Sequence, residues 1–139
     1  QRALSGLFER GEVEKAYLAD IWGTPTPASG EIDLPLITDW PNRPLQKVDH
    51  EIGKPSRTLY ETLSIQNGNA RLKLTPLTGR SHQLRVHLAA IGHPILGDEF
   101  YAAGEALAAR PRLALHATRL AFTHPSTGIR MEFEAPCPF

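Results

Sequence analysis

Residues 78–94, TGRSHQLRVHLAAIGHP, contain the densest group of arginine and histidine side chains in this sequence. These are side chains that can bind an anion. No Asp or Glu occurs between Glu61 and Asp98, so nothing within this stretch balances its cations. Such a stretch produces a local positive field even on a neutral protein, and it predicts a site for an anion. A solvated basic surface without a partner is the alternative that charge alone favours. The arginines and histidines of this segment are Arg80, Arg85, His82, His87 and His93.

A helix is predicted from Ser81 to Ile91, with Ser81 as its N-cap and Gly92 after its last turn. Arg85 then lies in the first turn, where a cation opposes the helix dipole. Free N–H groups at the same end would bind an anion. The candidates are an RNA phosphate, a small phosphate, or a carboxylate from elsewhere in the protein. The local sequence is expected to supply no carboxylate.

The histidines do not have the spacing of a metal site. His82 and His87 are five residues apart, whereas a helical zinc pair needs four, and Cys137 has no second cysteine. We therefore predict no metal, and we interpret the histidines as hydrogen-bonding groups, with His82 a polar contact to an anion. A nuclease or phosphate-ester enzyme that uses His82 and His87 is a weaker hypothesis. Three further histidines follow no regular spacing: His93, His116 and His124.

The elements that must position these residues are mostly strands. Alternation places Tyr17 in the middle of a strand, where an aromatic ring normally packs in the core with its hydroxyl at the rim. Asn-Gly at 67–68 predicts a hairpin turn. More strand than helix predicts an α+β fold with a mixed, mostly antiparallel sheet and flanking helices. Strands are predicted at 13–23, 31–36, 46–52, 56–66, 70–77, 116–125 and 129–136, and a short helix at 105–110.

Length and composition indicate one globular domain. The 139 residues are 41% hydrophobic and 22% charged, and no apolar run approaches the length of a membrane span. A single cysteine favours a cytoplasmic setting. The first 70 residues carry 7 basic and 10 acidic side chains and the remaining 69 carry 8 and 5, so the second half is the basic one. Apolar spacing over 3–8, ended by Gly11, resembles the end of a helix, and the chain is expected to be a piece of a longer protein.

Four segments resemble the RluA family of pseudouridine synthases. The segment LKLTPLTGRSHQLRVHLAAIGHPILGDEFY (72–101) is similar to the family's signature, and 112–136 is similar to its C-terminal strands. EKAYLADIWG (14–23) resembles its tyrosine-bearing strand. Residues 33–48 most resemble the member that modifies both ribosomal and transfer RNA. The resemblance implies isomerisation of uridine to pseudouridine in RNA, without a metal or organic cofactor.

The resemblance also implies roles for particular residues. Tyr17 matches the active-site tyrosine, whose ring stacks on the target base and whose hydroxyl assists proton removal from C5. Arg85 matches the arginine that pairs with the catalytic aspartate, and Leu84 matches the apolar residue that packs against uracil. Four further residues are expected to contact the RNA backbone: Arg80, His82, Arg43 and Lys47.

One family feature is missing. The catalytic aspartate of the family lies in an HRLD-type motif upstream of the tyrosine strand, and this sequence contains no such motif. Residues 1–139 are therefore expected to be the C-terminal portion of a catalytic domain, inactive alone. A non-catalytic RNA-binding module is the alternative. We expect no membrane partner, a monomeric parent protein, and self-association of the isolated piece through exposed apolar surface.

Overall fold

The structure is a computed structural model that describes residues 13–124 and 126–139. The helix expected over residues 3–8, with its end at Gly11, lies outside the described residues. No helix within the described ranges is long and apolar enough to cross a membrane. The described strands are β1 (Glu14–Asp20), β2 (Ser29–Asp33), β3 (Leu36–Thr38), β4 (Gln46–Val48), β5 (Arg57–Gln66), β6 (Asn69–Pro76), β7 (Leu115–Thr123) and β8 (Arg130–Glu134). The described helices are α1 (Gln83–Ala90), α2 (Gly104–Ala108) and a 3₁₀ turn at Trp40–Asn42.

Six of the strands form one sheet in the order β2-β5-β6-β1-β7-β8. β3 and β4 form a separate two-stranded sheet, whose tip is the 3₁₀ turn. Every strand pair in the described ranges is antiparallel. The predicted α+β class is confirmed, and β1 occupies an interior position between β6 and β7.

Alternation along β6 explains where the core lies. Ala70, Leu72 and Leu74 are buried, whereas Lys73 between them is exposed. Burying a leucine side chain stabilises the fold by about 1.5–3 kcal/mol. Leu84 and Leu88 of α1 pack into the same cluster, so the helix covers the apolar face of the sheet.

The β5–β6 turn has the predicted conformation. Asn67 and Gly68 have φ of 54° and 80°, which is the pair of left-handed residues that a two-residue type I′ hairpin needs. The turn pairs Gln66 with Asn69, and a bulge between Thr62 and Ser64 then shifts the register by one residue, so Tyr60 of β5 lies opposite Leu74 of β6.

Two predicted strands are wrong in extent. The strand predicted at 31–36 is divided, because β2 ends at Asp33 and Pro35, which has no N–H, precedes the start of β3. The strand predicted at 46–52 stops at Val48. There the carboxylate of Asp49 accepts hydrogen bonds from the N–H groups of Glu51 (2.9 Å) and Ile52 (3.1 Å), which closes a turn.

Candidate active site

A small pocket gathers most of the predicted site residues. It has a volume of about 190 Å³ and lies between β1 and the loop that leads into α1. None of its lining residues within the described ranges is an acid, and Lys15 adds a further basic group. Arg43 and Lys47 do not line it. The predicted residues that do are Tyr17, Arg80, His82, Leu84 and Arg85.

Tyr17 is fixed by the centre of the sheet. It is paired with Leu74 on one side and Ala117 on the other, and a bulge interrupts the β1–β7 register between Ala16 and Tyr17. Bulges re-aim side chains and occur next to active sites. Burial raises the pKa of the Tyr17 hydroxyl, so the side chain is a neutral phenol at neutral pH. An aromatic face and a protonated hydroxyl therefore lie together at the pocket.

Gln83 organises the loop before α1, a role that sequence reasoning missed. Its Oε1 accepts hydrogen bonds from the Thr78 hydroxyl (2.7 Å) and the Arg80 N–H (3.0 Å). Its Nε2 donates to the Arg57 carbonyl (2.8 Å) and the Thr58 hydroxyl (3.0 Å). Because Gln83 is buried with its amide hydrogen-bonded at both ends, it attaches the pocket loop rigidly to β5.

The start of α1 differs from the prediction. Ser81 is not the N-cap: the helix begins at Gln83, and His82 holds the cap position without a side-chain cap hydrogen bond. His82 has φ 53°, an uncommon conformation for a residue other than glycine. At the other end the prediction is confirmed, since Gly92 has φ 86° just after the helix.

The expectation that Arg85 lacks a local carboxylate is wrong. Its Nε donates to Asp98 Oδ2 (3.0 Å) and its Nη2 to Asp98 Oδ1 (2.6 Å), in a bidentate pair. The Asp98 side chain is 0% exposed and that of Arg85 15%. Asp98 raises the pKa of Arg85, which keeps the guanidinium charged. Its Nη1 makes no hydrogen bond within the described residues, so a second edge remains for another acceptor.

Tyr101 joins the pocket to the β3–β4 hairpin. Its hydroxyl accepts a hydrogen bond from the N–H of Gln46 (3.0 Å) and contacts His82 Nδ1 (2.7 Å). Burial, followed by the charge of Arg85, lowers the pKa of His82 and favours its neutral form. The proton of the hydrogen bond between Tyr101 and His82 lies on the hydroxyl or on Nδ1 according to the His82 tautomer.

The other predicted basic residues lie outside or at the edge of the pocket. The Arg80 guanidinium donates to the carbonyl of Pro55 (3.0 and 3.2 Å), which ties it to the segment before β5. Arg43 stacks over the Trp40 ring at 5.3 Å at the tip of the hairpin, and Lys47 is exposed on β4. Gln46 of the hairpin is linked to the pocket residue His82 through the Tyr101 hydroxyl.

His87 is a structural residue rather than a reactive one. It is fully buried, its Nε2 donates to the Leu34 carbonyl (2.9 Å), and its Nδ1 accepts from the Thr58 hydroxyl (2.8 Å). Burial lowers its pKa. Within the described ranges, no three His, Cys, Asp or Glu side chains are grouped so that they could hold a metal ion.

Comparison with known proteins identifies relatives across the whole chain. A family model described as RNA pseudouridylate synthase matches residues 1–90. The chain is 56% identical to the dual-specificity RNA pseudouridine synthase RluA of Escherichia coli K12, over all of this chain and 64% of that protein. Identity to the same-named protein of Yersinia pestis is 52%, over all of this chain and 68% of that protein.

Two solved human structures share the fold. Human RNA pseudouridylate synthase domain containing 1 superposes with a TM-score of 0.81 and 31% identity, over all of this chain and 62% of that one. Human RNA pseudouridylate synthase domain containing 4 superposes with a TM-score of 0.77 at 24% identity, over 99% of this chain and 62% of that one. The chain thus spans somewhat less than two thirds of each of these solved chains.

Proposed function

Because the chain belongs to the RNA pseudouridylate synthase family, we propose that it is part of an enzyme that isomerises uridine in RNA to pseudouridine. The observation that carries the proposal is the pocket in which Tyr17, Leu84 and Arg85 meet. In the reaction the bond from ribose C1′ to uracil N1 breaks and a bond from C1′ to C5 forms. The C5 proton leaves and N1 gains one, so nothing is oxidised or reduced. The chemistry therefore needs no cofactor, and we propose none.

Tyr17 and Leu84 are proposed to hold the uracil. A base must leave its stack to be reached, and an aromatic face offsets part of that cost. Leu84 supplies an apolar wall of the same pocket. The Tyr17 hydroxyl, neutral at rest, is proposed to assist removal of the C5 proton after the base has turned.

Arg85 is proposed to orient a catalytic carboxylate that this sequence does not contain. The pocket lining has no acid within the described residues, and Asp98 is already bound to one edge of Arg85. The Nη1 edge of Arg85 could pair with a second carboxylate, since a guanidinium presents five donors in a planar fork. Residues 1–139 are accordingly proposed to be the C-terminal portion of a catalytic domain, inactive alone. A full-length relative such as the E. coli protein is longer by about half.

The proposed substrate is a stem-loop of ribosomal or transfer RNA. The bacterial relatives are named as dual-specificity RNA pseudouridine synthases, which supports both RNA classes. The loop with Arg80 and His82 lines the pocket, and the hairpin with Arg43 and Lys47 is linked to His82 through Tyr101. We propose that these four residues contact the RNA backbone. A cytoplasmic location follows from that substrate in a bacterium.

We further propose that the full-length protein is a monomer and that the isolated 139-residue piece self-associates. β5 exposes three large apolar side chains, namely Leu59, Leu63 and Ile65. Light scattering on both proteins measures this difference directly. Equal association states would contradict it.

The decisive experiment uses the full-length protein and an RNA stem-loop tritiated at uridine C5, where isomerisation releases tritium to water. Tyr17→Phe keeps the ring and should lower kcat, and Tyr17→Leu should also weaken RNA binding. Tyr60→Phe removes a hydroxyl that donates to the Pro27 carbonyl away from the pocket, and it serves as the matched control. RNA binding by the wild type without tritium release would instead favour a non-catalytic RNA-binding module. Tritium release by the isolated 139-residue chain would contradict the proposal that the catalytic carboxylate lies outside this sequence.

A further inference from the structure

A second, basic cavity also has Arg85 in its lining. Its volume is about 430 Å³, and its charged lining residues are Arg85, Arg110, Arg112 and Glu99. Because Arg85 lines both cavities, they are neighbours. Nothing in the proposed chemistry uses this second cavity, which we call the arginine cavity.

The charges of the arginine cavity are not balanced. Arg85 is paired with the buried Asp98, and Arg110 donates to Asp20 Oδ2 (3.1 Å), which Arg71 also binds. Including those buried partners, the group has four arginines and three carboxylates within the described residues. The arginines are Arg71, Arg85, Arg110 and Arg112, and the carboxylates are Asp20, Asp98 and Glu99.

Within the described residues, Arg112 is the arginine of this group without a carboxylate partner. It is exposed, and its guanidinium has no hydrogen-bond or ion-pair partner in the part of the chain that the structure describes. Its backbone is nevertheless held in place. Gly97 has φ 74°, and a Cβ there would overlap the carbonyl oxygen of Arg112, so only glycine lets the two segments touch. The N–H of Ala114 also donates to the Leu96 carbonyl (2.9 Å). The backbone of Arg112 is therefore fixed beside the turn that carries Asp98.

We propose that the arginine cavity binds a phosphate of the RNA backbone next to the target nucleotide, with Arg112 as its main ligand. This inference rests on the proposed function, since it places the neighbouring phosphate in the arginine cavity when the uracil occupies the pocket. A phosphodiester fits the site because it is an anion with several acceptor oxygens, which guanidinium groups bind with directed hydrogen bonds. The cavity is roomier than the pocket and open to solvent, as a continuous strand requires.

Two substitutions that remove charges of opposite sign should change RNA affinity in opposite directions. A merely structural role would not produce this result. In the full-length protein, Arg112→Gln should weaken binding of an RNA stem-loop, whereas Glu99→Gln, which removes the one acid of the cavity lining, should strengthen it. Arg130→Gln is the matched control, since it removes an equal charge from β8, far along the sheet from the cavity. Loss of one phosphate contact should reduce the slope of log K against log salt by about 0.7–0.9. Between 50 and 200 mM salt, the wild type should then lose about threefold more affinity than Arg112→Gln.

A second measurement identifies the phosphate. Each backbone phosphate of the stem-loop is replaced in turn by a neutral methylphosphonate, and binding is measured for wild type and Arg112→Gln. At one position next to the target uridine, the replacement should weaken the wild type and leave the variant unchanged, because both changes remove the same contact. Equal losses at every position would overturn the proposal. So would an Arg112→Gln protein with wild-type RNA affinity and salt slope.

Free phosphate is the competing source of the same chemistry. If Arg112→Gln weakens binding of inorganic phosphate but not of RNA, the cavity is a small-anion site and the proposal is wrong. Failure of the proposed function looks different, because the wild type itself would then neither bind the stem-loop nor release tritium from it.

Discussion

The pair between Arg85 and Asp98 gives the largest expected effect of a single substitution. Asp98→Asn keeps the shape of the side chain and removes its charge. Arg85, with 15% of its side chain exposed, would then be a cation with no carboxylate in its bidentate site. Breaking a buried pair from one side costs about 3–5 kcal/mol, because the remaining charge is desolvated without compensation. Asp98 Oδ1 also accepts from the N–H groups of Phe100 (3.0 Å) and Tyr101 (3.2 Å), so the turn beneath the pocket should loosen as well.

The chain offers a control of nearly identical geometry. Arg57 binds Glu31 through Nε (3.2 Å) and Nη2 (2.6 Å), but its side chain is 50% exposed and that of Glu31 34%. Water screens such a pair, and Glu31→Gln should cost much less stability than Asp98→Asn. The two substitutions therefore change the same bidentate contact and differ in burial.

The assay is urea unfolding of the full-length protein, with the free energy of unfolding compared at equal m-values. A second variant, Asp98→Asn with Arg85→Met, leaves no unpaired charge and should recover most of the loss, since removing both partners of a buried pair is often neutral. Two results would each show that burial does not set the contribution of the Arg85–Asp98 pair to stability. In one, Asp98→Asn lowers the free energy of unfolding no more than Glu31→Gln does. In the other, the double variant is less stable than Asp98→Asn alone.

Two further outcomes follow from buried polar groups. Because burial lowers the pKa of His87 in the folded state, the unfolded chain binds the extra proton first, and the free energy of unfolding should fall as pH drops below about 6.5 towards the lowered value. His87→Gln should flatten this pH dependence in urea titrations, and an unchanged pH dependence in that variant would contradict the role of His87. Tyr101→Phe removes the acceptor of the Gln46 N–H and should speed hydrogen exchange at that amide, as measured by NMR. Tyr60→Phe should not change that rate, and an equal acceleration in both variants would argue against a specific link between the pocket and the hairpin.

Local sequence patterns predicted most strands and the main helix. They did not predict side-chain pairs between residues that are distant in sequence. The strand β6 and the Asn67–Gly68 turn could be predicted from the sequence because each depends on interactions within a few residues. Tyr17, Leu84 and Arg85 were identified by resemblance, and the structure places all three at one pocket.

What sequence reasoning missed depends on the path of the chain. Asp98 follows Arg85 by thirteen residues through a turn, and no helical or strand period relates the two positions. Gln83 and Tyr101 look like ordinary polar residues until their partners on β5 and β4 are known. The glycine before Asp98 was a visible signal, since a glycine followed by an acid often marks a tight turn, but it does not say which cation lies opposite.

The interior position of β1 has a consequence for synthesis of the protein. β1 is made before both of its neighbours, because β6 and β7 follow it in the chain and flank it in the sheet. At roughly 5–20 residues per second, about a hundred residues separate β1 from the end of β7, so one of its edges stays open for roughly 5–20 s on the ribosome. An open strand edge is a template for wrong pairing. The strand that carries Tyr17 is therefore open to wrong pairing while the nascent chain is still growing.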